Sequence, residues 1–293
     1  MNAKTKGAIC GIIAAVSYGT NPLGALPLYG LGVNPDSVLF YRYAIAAAVL
    51  VAITLCRREP LRVSGRELGI LAILGVLCAV SSLSLFMSFL YMDAGIASTM
   101  LFVYPVMVAV IMAAFFREKV SATTVASIVL SLCGIALLYR GGDGAALSLF
   151  GVMLVMLSSL TYAVYIVVVN RASLSMSSSK LTMYVMTFGV MTLVAHSLVG
   201  ADGGLQLLTT PAMWGYALLL ALLPTVVSFI MMTVAVHNIG STPTAVLGAL
   251  EPITAVVIGV TVFGEAFTAR LAIGILLVLA AVVLVVCGKS VRL

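Results

Sequence analysis

Ala97-Ser98-Thr99-Met100-Leu101-Phe102-Val103-Tyr104-Pro105 returns, 147 residues downstream, as Thr244-Ala245-Val246-Leu247-Gly248-Ala249-Leu250-Glu251-Pro252. Each copy begins just after a glycine (Gly95, Gly240) and runs to a proline in the middle of an apolar segment. The register holds past the proline: Phe116 matches Phe263, Glu118 matches Glu265, and Ser121 matches Thr268, which opens the next apolar segment. Upstream the offset drifts, to 145 for Asp93 with Asn238 and Met87 with Met232, and to 144 for Ser17-Tyr18 with Thr161-Tyr162. A drift of that size fits small loop insertions. Chance likeness between apolar segments is the competing reading. A proline and a glutamate at one offset, in corresponding places, weigh against it.

Around this repeat the chain is 63% hydrophobic and 8% charged over 293 residues. A soluble domain carries about 25% charged residues. So few charges cannot cover a water-facing surface, and lipid must be the solvent for much of the chain. The net charge of +6 does not point to nucleic acid, because the basic residues lie in short links between apolar runs, where they set topology against an anionic leaflet. The five cysteines (Cys10, Cys56, Cys78, Cys133, Cys287) show neither metal nor disulfide spacing and read as small apolar residues. Lys4 and Lys6 before an apolar stretch resemble a signal peptide, but the stretch from Gly7 to about Leu26 is long enough to span, so it reads as a first helix.

About 20 apolar residues cross a bilayer as a helix. That rule predicts ten spans: 7–26, 37–55, 68–91, 97–116, 122–138, 149–169, 181–199, 213–236, 243–263 and 269–287. The links hold charges and turn formers, such as Arg57-Arg58-Glu59-Pro60, Arg117-Glu118-Lys119 and Gly141-Gly142-Asp143-Gly144. With the N-terminus in the cytoplasm, 12 of the 15 basic residues fall on the inside, Arg140 and Arg270 fall outside, and Arg42 lies within the second span. Both termini are therefore expected to be cytoplasmic. Spans 1–5 (residues 1–140) then repeat as spans 6–10 (141–293). Five is odd, so the halves enter the membrane from opposite sides. The expected fold is an all-α integral membrane protein of ten transmembrane helices in two inverted five-helix repeats. That is the architecture of secondary transporters with a midplane site between the halves.

These landmarks resemble a known family. Small residues, a proline, an apolar run, Phe116-Arg117-Glu118-Lys119 or Phe263-Gly264-Glu265, and a further glycine-containing helix look like the EamA repeat of the drug/metabolite transporter superfamily. Phe40-Tyr41-Arg42-Tyr43-Ala44-Ile45-Ala46-Ala47 resembles that family's second-helix signature. The resemblance covers nearly the whole chain. Within the family it is similar to inner-membrane exporters of aromatic amino acids and related metabolites. Two departures bear on substrate: Glu251 stands before the second proline where Tyr104 stands before the first, and Trp214 is the one tryptophan. The resemblance implies a secondary transporter of a bacterial inner membrane that exports amino acids, aromatic and other neutral ones, by alternating access around a central cavity.

Charged groups inside a bilayer are costly and by default mark functional sites. Glu251 lies about 12 Å into the ninth span from the cytoplasmic side, near the middle of a core about 30 Å thick. It could bind a substrate ammonium, carry a coupling proton, or serve a structural role beside Pro252. Arg42 lies about 9 Å deep from the outside, which leaves a vertical gap to Glu251 of about 9 Å. It could snorkel to the headgroups or bind a substrate carboxylate. Pro105 and Pro252 each remove a helical hydrogen bond and are candidate hinges or static kinks. Candidate cavity residues are Tyr18, Asn21, Ser82, Tyr104, Ser158, Tyr162, Tyr165, Ser228 and Glu251, with Tyr18 and Tyr162 foremost because they occupy equivalent places in the two copies. Packing and interfacial roles are open for each. His196 and His237 read as lone interfacial residues, and Asp93 and Asn238 as caps of the helices that follow.

No P-loop pattern is visible, so ATP hydrolysis on this chain has no support. An intramembrane hydrolase needs a nucleophile with a base or clustered metal ligands, and a channel needs a filter loop or charge rings. Neither pattern is visible. The expected partners are a small organic solute and membrane lipid, without nucleic acid, cofactor or metal, for a chain acting as a monomer.

Overall fold

The computed structural model describes residues 2–116, 122–138, 147–172, 174, 176–199 and 204–290, with residues 241, 242, 285 and 288–290 described by their backbone alone. The 117–119 and 139–146 links, with Glu118 and Ser121, lie outside the described residues. The described chain is all helical. In order, the helices are α1 (Ala3–Gly19), α2 (Asn21–Gly30), α3 (Pro35–Cys56), α4 (Gly65–Ser88), α5 (Ala94–Leu101), α6 (Tyr104–Phe116) and α7 (Ala122–Leu138). They continue as α8 (Leu149–Ala172), α9 (Ser178–Val199), α10 (Pro211–Ala221), a π-helical turn Leu222–Val227, α11 (Ser228–Ile239), α12 (Ser241–Leu247), α13 (Leu250–Phe263) and α14 (Ala269–Ser290). Among the described residues, eight helical stretches are long and apolar enough to cross a membrane. Two further apolar stretches, Ala122–Leu138 and Ala269–Leu284, are shorter. Each falls where the sequence predicts a span, and the chain is a multi-pass membrane protein.

The helix starts are written locally. Asn34 Oδ1 accepts from Ser37 N at 2.9 Å, with Pro35 in the first turn of α3. Ser64 and Glu67 form a reciprocal capping box on α4. Thr210 Oγ1 accepts from Met213 N ahead of Pro211 on α10.

Four spans are not continuous. The breaks fall at Thr20, at Phe102–Val103, through the π turn, and at Gly248–Ala249. Each lies just ahead of or around a proline: Pro22, Pro105, Pro224 and Pro252. Proline has no N–H, so the carbonyl four residues earlier loses its helical donor, and in lipid that group must find another. All four do. Tyr18 O accepts from Asn21 Nδ2 at 2.9 Å, and Leu101 O from Ser159 Oγ of α8 at 3.1 Å. Leu220 O accepts from Thr225 Oγ1 at 3.0 Å, and Gly248 O from Glu251 N at 2.9 Å.

The strongest packing joins residues before 139 to residues after 146: α7 to α14, α1 to α11, α4 to α8, α3 to α9, α4 to α9, and α5 to α13. Exchanging the two halves maps this pattern onto itself. The pair α1–α11 becomes α4–α8, α1–α13 becomes α6–α8, α4–α9 becomes α10–α3, α7–α14 and α3–α9 map to themselves, and α5–α13 joins the fourth span to the ninth, a pair of spans that the exchange returns. Small residues allow the approach. A Cβ on Gly134 would stand 3.0 Å from Gly274 O and 2.7 Å from Val278, so α7 and α14 cross in near backbone contact. At one end of the bundle, Lys180 Nζ donates to Arg62 O at 2.7 Å and the Tyr184 hydroxyl to Leu61 O, which pins the 57–64 link to α9. At the other end, Asn34 N donates to Gln206 Oε1 and Gln206 N to Ser37 Oγ, both at 2.7 Å, pinning the 204–210 link to α3.

Candidate functional site

The four broken spans, together with α3, α4, α8 and α9, enclose a cavity of about 280 Å³. That is just below the range of typical small-molecule sites, about 300–1,000 Å³. Its wall includes Tyr18, Asn21, Ser82, Tyr104, Tyr162, Tyr165, Ser228, Glu251, Arg42 and Pro252. The structure thus brings together ten of the residues singled out from sequence.

Two stand apart. Ser158 is fully buried in the α4–α8 crossing, where Ser158 Oγ donates to Ser81 O at 2.7 Å and Ser81 Oγ to Ser158 O at 3.0 Å. It fastens two helices and does not line the cavity. Pro105 does not line the cavity, and its effect reaches the cavity through the break it creates.

The tyrosines form a continuous aromatic side. Tyr104 meets Tyr162 edge-on, with ring centroids 4.6 Å apart, and Tyr162 stacks on Tyr165 at 5.7 Å with 5° between planes. Offset and edge-on arrangements are those that aromatic quadrupoles favour. Such a wall offers ring faces to an aromatic ligand and hydroxyls to a polar one. Elsewhere in the wall, Tyr43 OH lies 2.6 Å from Ser82 Oγ.

Arg42 is 4% exposed, so it does not snorkel to the headgroups. Its Nε donates to Thr225 Oγ1 at 2.9 Å. Its guanidinium carbon lies 5.4 Å from the Phe86 centroid and 5.9 Å from that of Tyr18, within cation–π range. Glu251 sits in the first turn of α13. Among the described residues its carboxylate has neither a salt bridge nor a hydrogen-bond donor, and it makes no ion pair with Arg42. Its backbone carbonyl lies against Gly19, where a Cβ would come within 2.5 Å of that oxygen. Asn21 Oδ1 is buried and has no partner either, while the Nδ2 of the same side chain donates to Tyr18 O. The wall therefore carries a buried cation, a carboxylate and a free amide oxygen whose protein partners do not exhaust them.

Sequence reasoning missed several positions. Thr225, Phe102 and Cys78 also line the cavity. A hydroxyl residue directly after a mid-span proline was the available signal for Thr225, since freed carbonyls recruit hydroxyls. The histidines also need correction: His196 is not alone, because its Nδ1 lies 2.7 Å from Asp36 Oδ1, joining α9 to α3. Asn238 does not cap the helix that follows; its Nδ2 donates back to Val234 O at 2.7 Å. At the start of α5, two backbone N–H groups are received by Glu265, with Ala94 N at 2.8 Å and Gly95 N at 3.2 Å. A carboxylate at a helix N-terminus suits both the free donors and the helix dipole. Burial, and then nearby Asp93, hold the Glu265 carboxyl above the usual carboxylate range despite those donors.

Comparison with known proteins agrees with this architecture. A Bacillus subtilis (strain 168) protein described as the uncharacterized transporter YcbK is 26% identical over 272 residues, covering 88% of this chain and 86% of its own. An uncharacterized transporter of Archaeoglobus fulgidus is 24% identical over 271 residues, covering 92% of this chain and 94% of its own. A protein of known crystal structure superposes with a TM-score of 0.69 over 99% of this chain and 98% of that one; at 18% identity it speaks for the fold alone. Residues 5–140 and 149–287 each match the EamA-like transporter family. With a multi-helix membrane fold around a polar cavity and two matches that together take in most of the sequence, the chain belongs to the EamA-like transporter family of the drug/metabolite transporter superfamily, and it is a membrane transporter.

Proposed function

We propose that this transporter carries amino acids, aromatic and other neutral ones, out across the plasma (inner) membrane by alternating access around the described cavity. One observation carries the reading: a buried guanidinium and an unpaired carboxylate share the wall of one small cavity without pairing with each other. A zwitterion supplies both missing partners. Its carboxylate goes to Arg42, its ammonium to Glu251 and Asn21 Oδ1, and its side chain to the tyrosine wall. Charge-assisted bonds of this kind are about twice as strong as neutral ones, and burial strengthens them further.

The transport cycle rests on the same residues. The packing pattern that survives exchange of halves supports two five-span repeats, residues 1–140 and 141–293, inserted in opposite senses. The placement of basic residues supports cytoplasmic termini. Rocking of one half against the other then moves access from one face to the other. The breaks ahead of Pro105 and Pro252 are the natural places for that motion, because the backbone bonds there are already replaced by side-chain or tightened ones. Glu251 also serves as the group that can take up a coupling proton when no ammonium occupies it.

The test is a competition screen in proteoliposomes with neutral amino acids, organic cations and sugars. Inhibition by phenylalanine and leucine, with weaker inhibition by sugars, is the expected outcome. Flux of organic cations with none of amino acids would assign the site to Glu251 alone and refute the zwitterion reading.

A further inference from the structure

Arg42 owes its aim to a residue in the other half of the chain. Pro224 leaves Leu220 O without a helical donor, and the π-helical turn Leu222–Val227 forms around it. Thr225 Oγ1 donates its single proton to Leu220 O at 3.0 Å. The hydroxyl then has only lone pairs left to offer, and these receive Arg42 Nε at 2.9 Å. The polarity is therefore locked: the broken backbone fixes the Thr225 proton, and the fixed proton makes Thr225 an acceptor.

This arrangement decides which edge of the guanidinium is free. Arginine can hold a carboxylate side-on, through Nε and one Nη, or end-on, through both Nη groups. Thr225 occupies Nε and blocks the side-on edge. Phe86 and Tyr18 flank the guanidinium at 5.4 and 5.9 Å and hold its plane. The end-on pair remains, with the Tyr18 hydroxyl as its neighbour, on a side chain that is 96% buried and lines the cavity. We infer that Thr225 is a positioning residue that presents the end-on Nη pair of Arg42 to the cavity, and that it thereby makes the transporter select solutes bearing a carboxylate. The inference rests on the amino-acid reading of the same cavity. It adds the residue that sets carboxylate selectivity, and it gives π-helical geometry at a functional site a physical task.

The experiment uses the full-length protein in proteoliposomes and two matched pairs of probes: phenylalanine with phenethylamine, and leucine with isoamylamine. Each pair differs only by the carboxylate. The readout is the ratio of apparent affinities, amino acid over amine, for the wild type, Thr225→Val and Thr225→Ser. Wild-type protein should favour the amino acid in both pairs. Thr225→Val, which keeps the shape and removes the hydroxyl, should lower the ratio about tenfold or more, the worth of a well-aimed charged bond. Thr225→Ser should hold the ratio within about threefold of wild type, because its hydroxyl can make both bonds. Amine binding by the valine variant doubles as the check that it is folded, and Thr225→Ala provides the same reading should valine fail that check. Equal weakening of amino acid and amine would show a merely structural role and overturn the inference. A wild type that discriminates, with a valine variant that discriminates equally well, would overturn it while leaving the amino-acid reading intact. A wild type that does not discriminate within either pair would remove both.

Discussion

Replacing Ser159 by Ala isolates the energetics of the helix breaks. Ser159 is fully buried on α8, and its hydroxyl donates to Leu101 O at 3.1 Å and lies 3.4 Å from Met100 O. Pro105 cannot supply Leu101 O with a backbone donor. The N–H groups of Phe102 and Val103 are committed to Ser98, Thr99 and Met100. Loss of the hydroxyl therefore leaves the half-buried Leu101 carbonyl without its side-chain donor. An unmade buried bond costs about 1–3 kcal/mol, and interhelical bonds in membranes reach about 1.7 kcal/mol at most. The expected loss is about 1–2 kcal/mol, or a fall in Tm of about 2–8 °C. Ser127→Ala is the matched control. Ser127 is equally buried and donates to Thr123 O at 2.8 Å, within unbroken α7. That carbonyl already has a helical donor, the N–H of Ser127 itself, so the expected change is a few tenths of a kcal/mol. Thermal unfolding in one detergent, followed by the loss of monodisperse protein on size exclusion, measures both. Equal destabilisation by the two substitutions would refute the argument that the proline-freed carbonyl is what Ser159 satisfies. A cycle with Pro105→Ala sharpens the test: restoring an N–H should recover part of the Ser159→Ala loss, beyond its effect on the wild type.

Further expectations concern charge and topology. Glu251→Gln should insert normally yet weaken apparent affinity for ammonium-bearing solutes about tenfold or more, the share of a charge-assisted bond; wild-type transport at every pH would mean that Glu251 holds neither substrate nor proton. In a cysteine-free background, Arg58→Cys and Leu207→Cys should label with an impermeant maleimide from opposite faces of the membrane, and labelling from one face would refute the inverted arrangement. Glu265 titrates higher in the folded protein than in the unfolded chain. Its contribution is therefore full below the ordinary carboxylate range and is lost as pH rises through the raised folded value. A Tm series taken upward in pH from the ordinary carboxylate value should fall less steeply for Glu265→Gln than for wild type; parallel slopes would assign the pH dependence elsewhere.

Much of the fold is legible in the sequence because lipid leaves the chain few choices. A run of about 20 apolar residues must be helical throughout or broken where something else satisfies the backbone. The predicted spans accordingly coincide with the observed ones, and the prolines mark the breaks. What the sequence does not carry is the partner of each freed group. Nothing local says that Leu101 O meets Ser159, 58 residues on, or that Arg42 meets Thr225, 183 residues on. The same holds for His196, whose partner Asp36 is 160 residues earlier, and for Glu265, which caps α5 in the other half. Such pairings are set by how the halves pack, and one sequence shows each half only by itself.

Polar lining by itself is weak evidence for a ligand in this protein. Four broken helices converge on the cavity, and each break requires an amide, a hydroxyl or a tightened N–H for its orphaned carbonyl. Backbone need alone would gather polar groups at the midplane. Asn21 Nδ2, Ser159 and the Thr225 proton are spent in that way. The informative groups are those the backbone does not use: the Nη pair of Arg42, which has the Tyr18 hydroxyl beside it, the carboxylate of Glu251 and the Oδ1 of Asn21. One donor edge and two acceptors, set beside stacked tyrosines, match the two ends of a zwitterion with an apolar side chain. They do not match a sugar, which would leave the charges of Arg42 and Glu251 unanswered in a buried site.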